Sequence, residues 1–241
     1  MKIIHCISVI LFLSASLSSN AQVQDSVKTK KLWVKAIVPS VLIISGTAIK
    51  GSDFEKNLQT NLRNKVGNDY YFPIDEYLPY APIAEMYIAD LSGAKAKNHW
   101  FDQTKYLIIS NFISQGIAQS LKRIIIPKIT GDLQNTFPSG HTTFAFTNAA
   151  VLYNEFDQSS KVLAYSGYTF AVTTGVFRIL NDAHKLSDVL AGAGIGMLVT
   201  HLVYYFEPFK SFNPFKKSRN ITFVPSVNNN KFELYFSCTL H

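Results

Sequence analysis

Two short clusters hold side chains that can do phosphate chemistry together. His184 and Asp188 stand four residues apart at the head of the apolar run Leu186 to Phe206, so a helix there projects both from one face. A carboxylate that accepts the proton of one imidazole nitrogen fixes the tautomer and leaves the other nitrogen as a nucleophile toward phosphorus. Arg178, just upstream, carries a planar, permanently charged fork that matches phosphate oxygens bidentately and stabilises charge on the equatorial oxygens during the attack. The other cluster is Pro138-Ser139-Gly140-His141, directly before the apolar stretch Thr142 to Tyr153. Proline and glycine break the chain there, so the amides of Ser139, Gly140 and His141 fall at a helix start, which binds anions. Ser139 adds a hydroxyl donor, and His141 is placed to protonate the oxygen that leaves.

The elements that must position these groups are helical. Apolar runs cover Leu32 to Ile49, Leu78 to Leu91, Tyr106 to Leu121, Thr142 to Tyr153, Val162 to Leu180 and Leu186 to Phe206, so the chemistry-bearing residues fall at helix ends. In Tyr106 to Leu121, Asn111, Ser114, Gln115 and Gln119 recur on one side, a polar strip that faces other helices or a site. Gly192, Gly194 and Gly196 lower helix propensity but let a neighbouring helix approach closely, so they read as packing rather than phosphate binding. Gly51 to Asp69 is polar and reads as lying outside the core. Near the C-terminus, Ile221 to Leu240 reads as two short strands around Asn228-Asn229-Asn230.

The clusters resemble those of the superfamily that unites type 2 phosphatidic acid phosphatases, bacterial class A acid phosphatases and vanadium haloperoxidases, and most resemble its bacterial membrane lipid phosphatases. The family's Pro-Ser-Gly-His stands here as Pro138 to His141, and its Arg, five residues, His, three residues, Asp stands as Arg178, His184 and Asp188. Phe177 replaces the serine usual before the arginine. The first motif, Lys, six residues, Arg-Pro, departs further: Lys122 is present, but Ile129 and Thr130 replace Arg-Pro, with Lys128 one residue away. The resemblance covers roughly Tyr70 to Phe206. It implies an all-α bundle of about five or six apolar helices embedded in a membrane, to which the sequence adds a short C-terminal tail that reads as β. It also implies an envelope enzyme that hydrolyses a lipid phosphate monoester or pyrophosphate through a phosphohistidine on His184. In that reading His141 and Asp188 join His184 in catalysis, while Lys122, Arg178, Ser139, Gly140 and Lys128 bind the phosphate. Candidate lipids are phosphatidic acid, phosphatidylglycerophosphate, undecaprenyl pyrophosphate and the phosphates of lipid A. Three other readings share the same residues: a soluble periplasmic acid phosphatase of broad specificity, a vanadate-dependent haloperoxidase, and a degenerate member kept for binding.

Composition agrees with a helical membrane enzyme. The chain has 241 residues, 47% hydrophobic and only 16% charged, with a mean hydropathy of +0.10, enough for one substantial core and no second catalytic domain. Its net charge of +7 suits an anionic lipid surface or substrate. No basic stripe interleaves with stacking aromatics, which argues against nucleic acid. No His, Cys, Asp and Glu group has metal-ligand spacing, so neither metal nor cofactor is expected. Nothing in the chain specifies an oligomeric state.

Lys2, the apolar stretch Ile7 to Leu17 and Ser19-Asn20-Ala21 read as a secretory signal cleaved after Ala21. Cys6 leaves with it and Cys238 remains alone, so no internal disulfide forms. The expected organisation is a signal peptide over 1–21, an apolar helix and polar connection over 22–69, a helical core over 70–207, and a basic linker with tail over 208–241. A site facing the periplasm of an inner-membrane protein then requires that Leu32 to Ile49 or Leu78 to Leu91 does not cross. The basic residues after the last run, Lys210, Lys216, Lys217 and Arg219, fit an inward-facing end. His99 and His201 read as packed, hydrogen-bonded histidines, and Tyr70, Tyr71, Phe72, Tyr77, Tyr80 and Tyr87 as core or interface aromatics.

Overall fold

The long apolar runs fold here into helices, as the computed structural model shows; it describes residues 24–126, 135–213, 221–228 and 231–238. The expected signal peptide, Lys128, and Lys216, Lys217 and Arg219 of the basic linker lie outside the described residues. Seven α-helices are present among the described residues: α1 (Gln24–Ile49), α2 (Asp53–Val66), α3 (Ala81–Leu91), α4 (Trp100–Ser120), α5 (Gly140–Phe156), α6 (Lys161–Leu180) and α7 (Leu186–Phe206). The chain divides between Phe206 and Glu207 into this all-α unit and a C-terminal unit. The latter holds an antiparallel hairpin, β1 (Ile221–Asn228) with β2 (Lys231–Cys238), in a register that pairs Asn228 with Lys231.

Close contacts fix the direction of each helix. Lys35, in the first half of α1, donates to Asn154 near the end of α5 at 2.8 Å, whereas Gly46 lies against Ser187 and Ala191 at the start of α7. Thus α1 runs toward the end of the bundle where α5 and α7 begin. Helix α4 does the same: Asn98, just before it, donates to Glu155 at the end of α5 at 2.9 Å, and its own last turn reaches Gly140. Helices α5 and α7 run the other way, so the start of α1 and the end of α7 share the far end.

Glycine spacing explains how closely α7 packs. A methyl group on Gly192 would meet the Ser139 carbonyl at 2.6 Å, and one on Gly196 would meet the Thr143 carbonyl at 2.5 Å, so these two face α5. A methyl on Gly194 would meet the Pro39 carbonyl of α1 at 2.5 Å. Only hydrogen fits at these crossings. The polar strip of α4 closes against α5: Asn111 donates to Asn148 at 2.7 Å, Ser114 pairs with Thr147 at 2.9 Å, and Gln115 donates to the Gly140 carbonyl at 2.9 Å.

One segment differs from the expectation, and the helix expected over Leu78 to Leu91 is present with a 3₁₀ start. Gly51 to Asp69 forms α2, whose Glu55 is buried and accepts from the Ser187 amide at 2.9 Å and the Gly51 amide at 2.7 Å. This polar segment therefore caps the start of α7 instead of lying outside the core. Helix α3 follows two 3₁₀ turns, Pro73–Glu76 and Leu78–Tyr80, and starts at mid-depth, where the Pro79 carbonyl accepts from Asn148 at 2.9 Å. Its carboxylates turn onto neighbours: Glu85 accepts from Ser166 at 3.1 Å and Asp90 from Gln103 at 3.2 Å.

Candidate active site

The link between α6 and α7 accounts for the spacing of Arg178 and His184. The Arg178 carbonyl accepts from both the Ala183 and His184 amides at 3.1 Å, closing the end of α6 so that the next helix starts beside it. Asp182 sits there in the left-handed region, at φ 56°, and its carboxylate accepts from Gln59 of α2. His184 thus emerges next to its own upstream arginine.

His184 Nδ1 lies 3.2 Å from Asp188 Oδ2. The same oxygen accepts from the Thr136 hydroxyl at 2.7 Å and the Lys185 amide at 3.2 Å, while the carboxylate is almost fully buried and its Oδ1 has no hydrogen-bond partner among the described residues. A carboxylate held this way stays an acceptor, so it pairs with a proton on Nδ1 and leaves the lone pair on Nε2. Burial lowers the His184 pKa from its ordinary value, opposed in part by Asp188; Lys122 and Arg178 lower it further. The neutral, nucleophilic imidazole is therefore the favoured form.

Ser139 caps α5. Its hydroxyl accepts from the Thr142 amide at 3.4 Å and the Thr142 hydroxyl at 3.0 Å, and its amide donates to the Asp188 carbonyl at 2.9 Å. The Ser139 amide is engaged in the fold, because the same residue must end a loop, start a helix and tie α5 to α7; its hydroxyl accepts twice and keeps its own proton to donate. The amides of Gly140 and His141, first in the helix, remain without intrahelical partners. His141 is exposed at this end and lies within the fields of Arg178, Asp75, His184 and Glu76.

Lys122 follows α4 in a π-helical turn, Leu121–Ile125, a distortion that re-aims side chains and recurs at functional sites. Burial lowers its pKa; Asp188 opposes this, and Arg178 and Arg123 add to it. Its carbonyl accepts from Asn135 at 3.3 Å, and Asn135 also accepts from Lys50 at 3.2 Å. The structure thus brings Lys122, Gly140, His141, Arg178, His184 and Asp188 to one end of the bundle.

Two participants escape a reading by spacing. Asp75 is buried and accepts from Arg178 Nη1 at 2.8 Å and from Asn181 at 2.8 Å. It stands 103 positions before Arg178 in a short turn; the one signal in the sequence is that an arginine at a helix end in an apolar bundle needs a counter-charge. Glu55, the cap of α7, lies 132 positions from its partner. Phe177, at the position where the resembled family has serine, packs its ring on Phe72, with centroids 5.6 Å apart. His99 and His201 take structural places: His99 Nδ1 accepts from the Phe101 amide at 3.3 Å, and His201 Nδ1 lies 3.2 Å from Asn154.

Comparison with known proteins adds to this geometry. The PAP2 superfamily description matches residues 93–212, a stretch that contains both motif clusters and Lys122. A lipid A 1-phosphatase of Porphyromonas gingivalis is 44% identical over 77 residues, which is 32% of this chain and 17% of that protein; the match thus spans about a sixth of that relative's length. A transmembrane PAP2-type phosphatidylglycerolphosphate phosphatase from Bacillus subtilis aligns with 88% of this chain and 98% of its own, at 17% identity and a TM-score of 0.38.

Proposed function

Since the chain belongs to the PAP2 superfamily, we propose that it is a phosphoric ester hydrolase that removes phosphate, as monoester or pyrophosphate, from a lipid in the cell envelope. The observation that carries this reading is the His184–Asp188 pair, set beside Lys122, Arg178 and the start of α5. In the first step His184 Nε2 attacks phosphorus: a P–N bond forms, the bond from phosphorus to the ester oxygen breaks, and His141 gives that oxygen a proton. Asp188 holds the imidazolium that results. Lys122, Arg178 and the amides of Gly140 and His141 meet the charge on the transferring group. In the second step water, deprotonated by His141, attacks phosphorus, breaks the P–N bond and releases inorganic phosphate.

Lipid as the substrate class rests on the outer surface of the bundle. Trp33, Val34, Ile37, Val38, Val41 and Ile44 of α1 face outward, as do Ile108, Phe112 and Ile117 of α4, whereas Ser110, Ser114, Thr143, Thr147, Asn148 and Thr200 are inside. Apolar outside and polar inside is what a bilayer selects, and Leu32–Ile49 and Leu186–Phe206 are long and apolar enough to cross one. The name of the Porphyromonas gingivalis relative points the same way.

Helix direction bears on orientation. The start of α1, where Lys28, Lys30, Lys31 and Lys35 cluster, lies at the end opposite the site, so the positive-inside tendency puts that end in the cytoplasm and the site outside. A leader cut from the outside after Ala21 would instead leave residue 22 outside and the site within. We take the outward site.

The test is phosphate release from a panel of lipid phosphates and p-nitrophenyl phosphate, in detergent without divalent metal, for wild type and His184→Ala. Lipid-selective release that the substitution abolishes supports the reading. Release that survives in His184→Ala refutes the phosphohistidine step, and release from p-nitrophenyl phosphate alone favours a soluble-substrate phosphatase.

A further inference from the structure

The 3₁₀ turn Pro73–Glu76 lies outside the stretch that the family description matches, yet it reaches the centre of the site. Asp75 is 1% exposed, and both of its oxygens are used: Oδ2 accepts from Arg178 Nη1 at 2.8 Å and Oδ1 from Asn181 Nδ2 at 2.8 Å. Asn181 is itself held from the same segment, accepting from the Phe72 amide at 3.0 Å and donating to the Phe72 carbonyl at 2.9 Å. Arg178 is thus gripped at one corner of its fork by a carboxylate that cannot swing. On the other side, Arg178 Nε is buried and has no hydrogen-bond partner among the described residues.

A buried guanidinium N–H without an acceptor is costly, and a guanidinium offers its Nε edge bidentately to phosphate when the remaining corner is already fixed. We propose that Asp75 is the positioning residue of this phosphatase: by holding Nη1 it locks the Arg178 rotamer so that the Nε edge faces an oxygen of the transferring phosphoryl group. Asn181 completes the clamp by orienting the carboxylate. Asp75 touches neither phosphorus nor the attacking nitrogen; it acts through Arg178. The inference rests on the phosphatase reading above and specifies how one of its ligands is aimed.

A flexible arginine can still find phosphate, but it must give up rotamer freedom in the transition state, so the loss falls on kcat more than on KM. The experiment compares wild type, Asp75→Asn, Asp75→Glu, Arg178→Ala and the double variant Asp75→Asn/Arg178→Ala, full length in detergent. It measures kcat, KM and inhibition by inorganic phosphate, with melting temperature alongside. Asp75→Asn is expected to lower kcat about 10- to 100-fold, to weaken phosphate inhibition, and to be partly rescued by Asp75→Glu. In the Arg178→Ala background it should cost nothing more. Losses that multiply in the double variant, or an Asp75→Asn enzyme as active as wild type, overturn the proposal. Should Asp75→Asn fail to fold, Asn181→Ala, which loosens the carboxylate without removing its charge, gives the same comparison with Arg178→Ala. Absence of turnover in wild type would count against the phosphatase reading itself; normal turnover with an indifferent Asp75 counts against this inference alone.

Discussion

Placing one methyl group on Gly192 tests whether the packing of α7 against α5 sets the geometry of the site. Its Cβ would stand 2.6 Å from the Ser139 carbonyl and 3.0 Å from Thr143 Oγ1, where ordinary contact begins near 3.4 Å, so the helices must part by about 0.8 Å. Neither neighbour can yield locally, because one is the backbone of the α5 cap and the other is a hydroxyl bonded to it at 2.8 Å. The Ser139 amide to Asp188 carbonyl bond, now 2.9 Å, would be stretched past hydrogen-bonding range by that opening. Overpacking of this kind costs about 1–3 kcal/mol. The catalytic cost is separate: His184 and Asp188 ride on the start of α7 and His141 on α5, and misplacement approaching 1 Å lowers a rate by up to about 100-fold. Gly116→Ala is the matched control, since a methyl there meets nothing within 4 Å and substitution in a helix interior favours folding by about 0.5–1 kcal/mol. The assay is phosphate release per folded molecule, with melting temperature measured on the same samples. A Gly192→Ala enzyme that matches Gly116→Ala in both would refute the claim that this crossing positions the site.

The pH profile follows from His184. Its folded pKa lies below the unfolded value of about 6.5, so the neutral nucleophile persists into mildly acid solution, and the acid limb of kcat/KM should fall below that pH. Because Asp188 opposes the shift, Asp188→Asn should move the limb further toward acid while slowing the reaction; a limb above pH 7 in wild type contradicts the burial argument. The same lowering contributes stability that is complete above about pH 6.5 and is lost as pH falls through the folded value, because the unfolded chain then binds more protons. Glu55→Ala leaves the Ser187 and Gly51 amides without an acceptor; the expected loss is about 2 kcal/mol, read as a lower melting temperature, with Glu55→Gln between it and wild type. An unchanged melting temperature would remove Glu55 from the list of caps.

Much of this was legible because the residues proposed to do chemistry sit close together in the chain. Arg178, His184 and Asp188 read as a unit since one helix end, one turn and one helix start separate them, and the run Leu186 to Phe206 reads as a helix to its last residue because its apolar length outweighs its three glycines. The glycines of α7 read as packing because their spacing puts Gly192 and Gly196 on one face, and the polar strip of α4 because it recurs at helical period. Ser139 was legible as a helix start, but not the tie of its amide to the Asp188 carbonyl of α7: a sequence names a donor without naming its partner.

The illegible part is where charge is cancelled at a distance. Asp75 and Glu55 come from segments with no catalytic spacing, in a 3₁₀ turn and a polar helix, and each meets its partner only when segments more than 100 positions apart have packed. A local pattern cannot report them, because the physical demand they answer belongs to the assembled bundle: a cation at the buried end of α6 and unpaired amides at the start of α7 are costly only once water has been removed. The same logic makes them informative. Where an apolar bundle buries a carboxylate against a group that spacing already marks as functional, the carboxylate has been kept for its effect on that group, since burial alone would favour its loss; the double variant of Asp75 with Arg178 measures that effect directly.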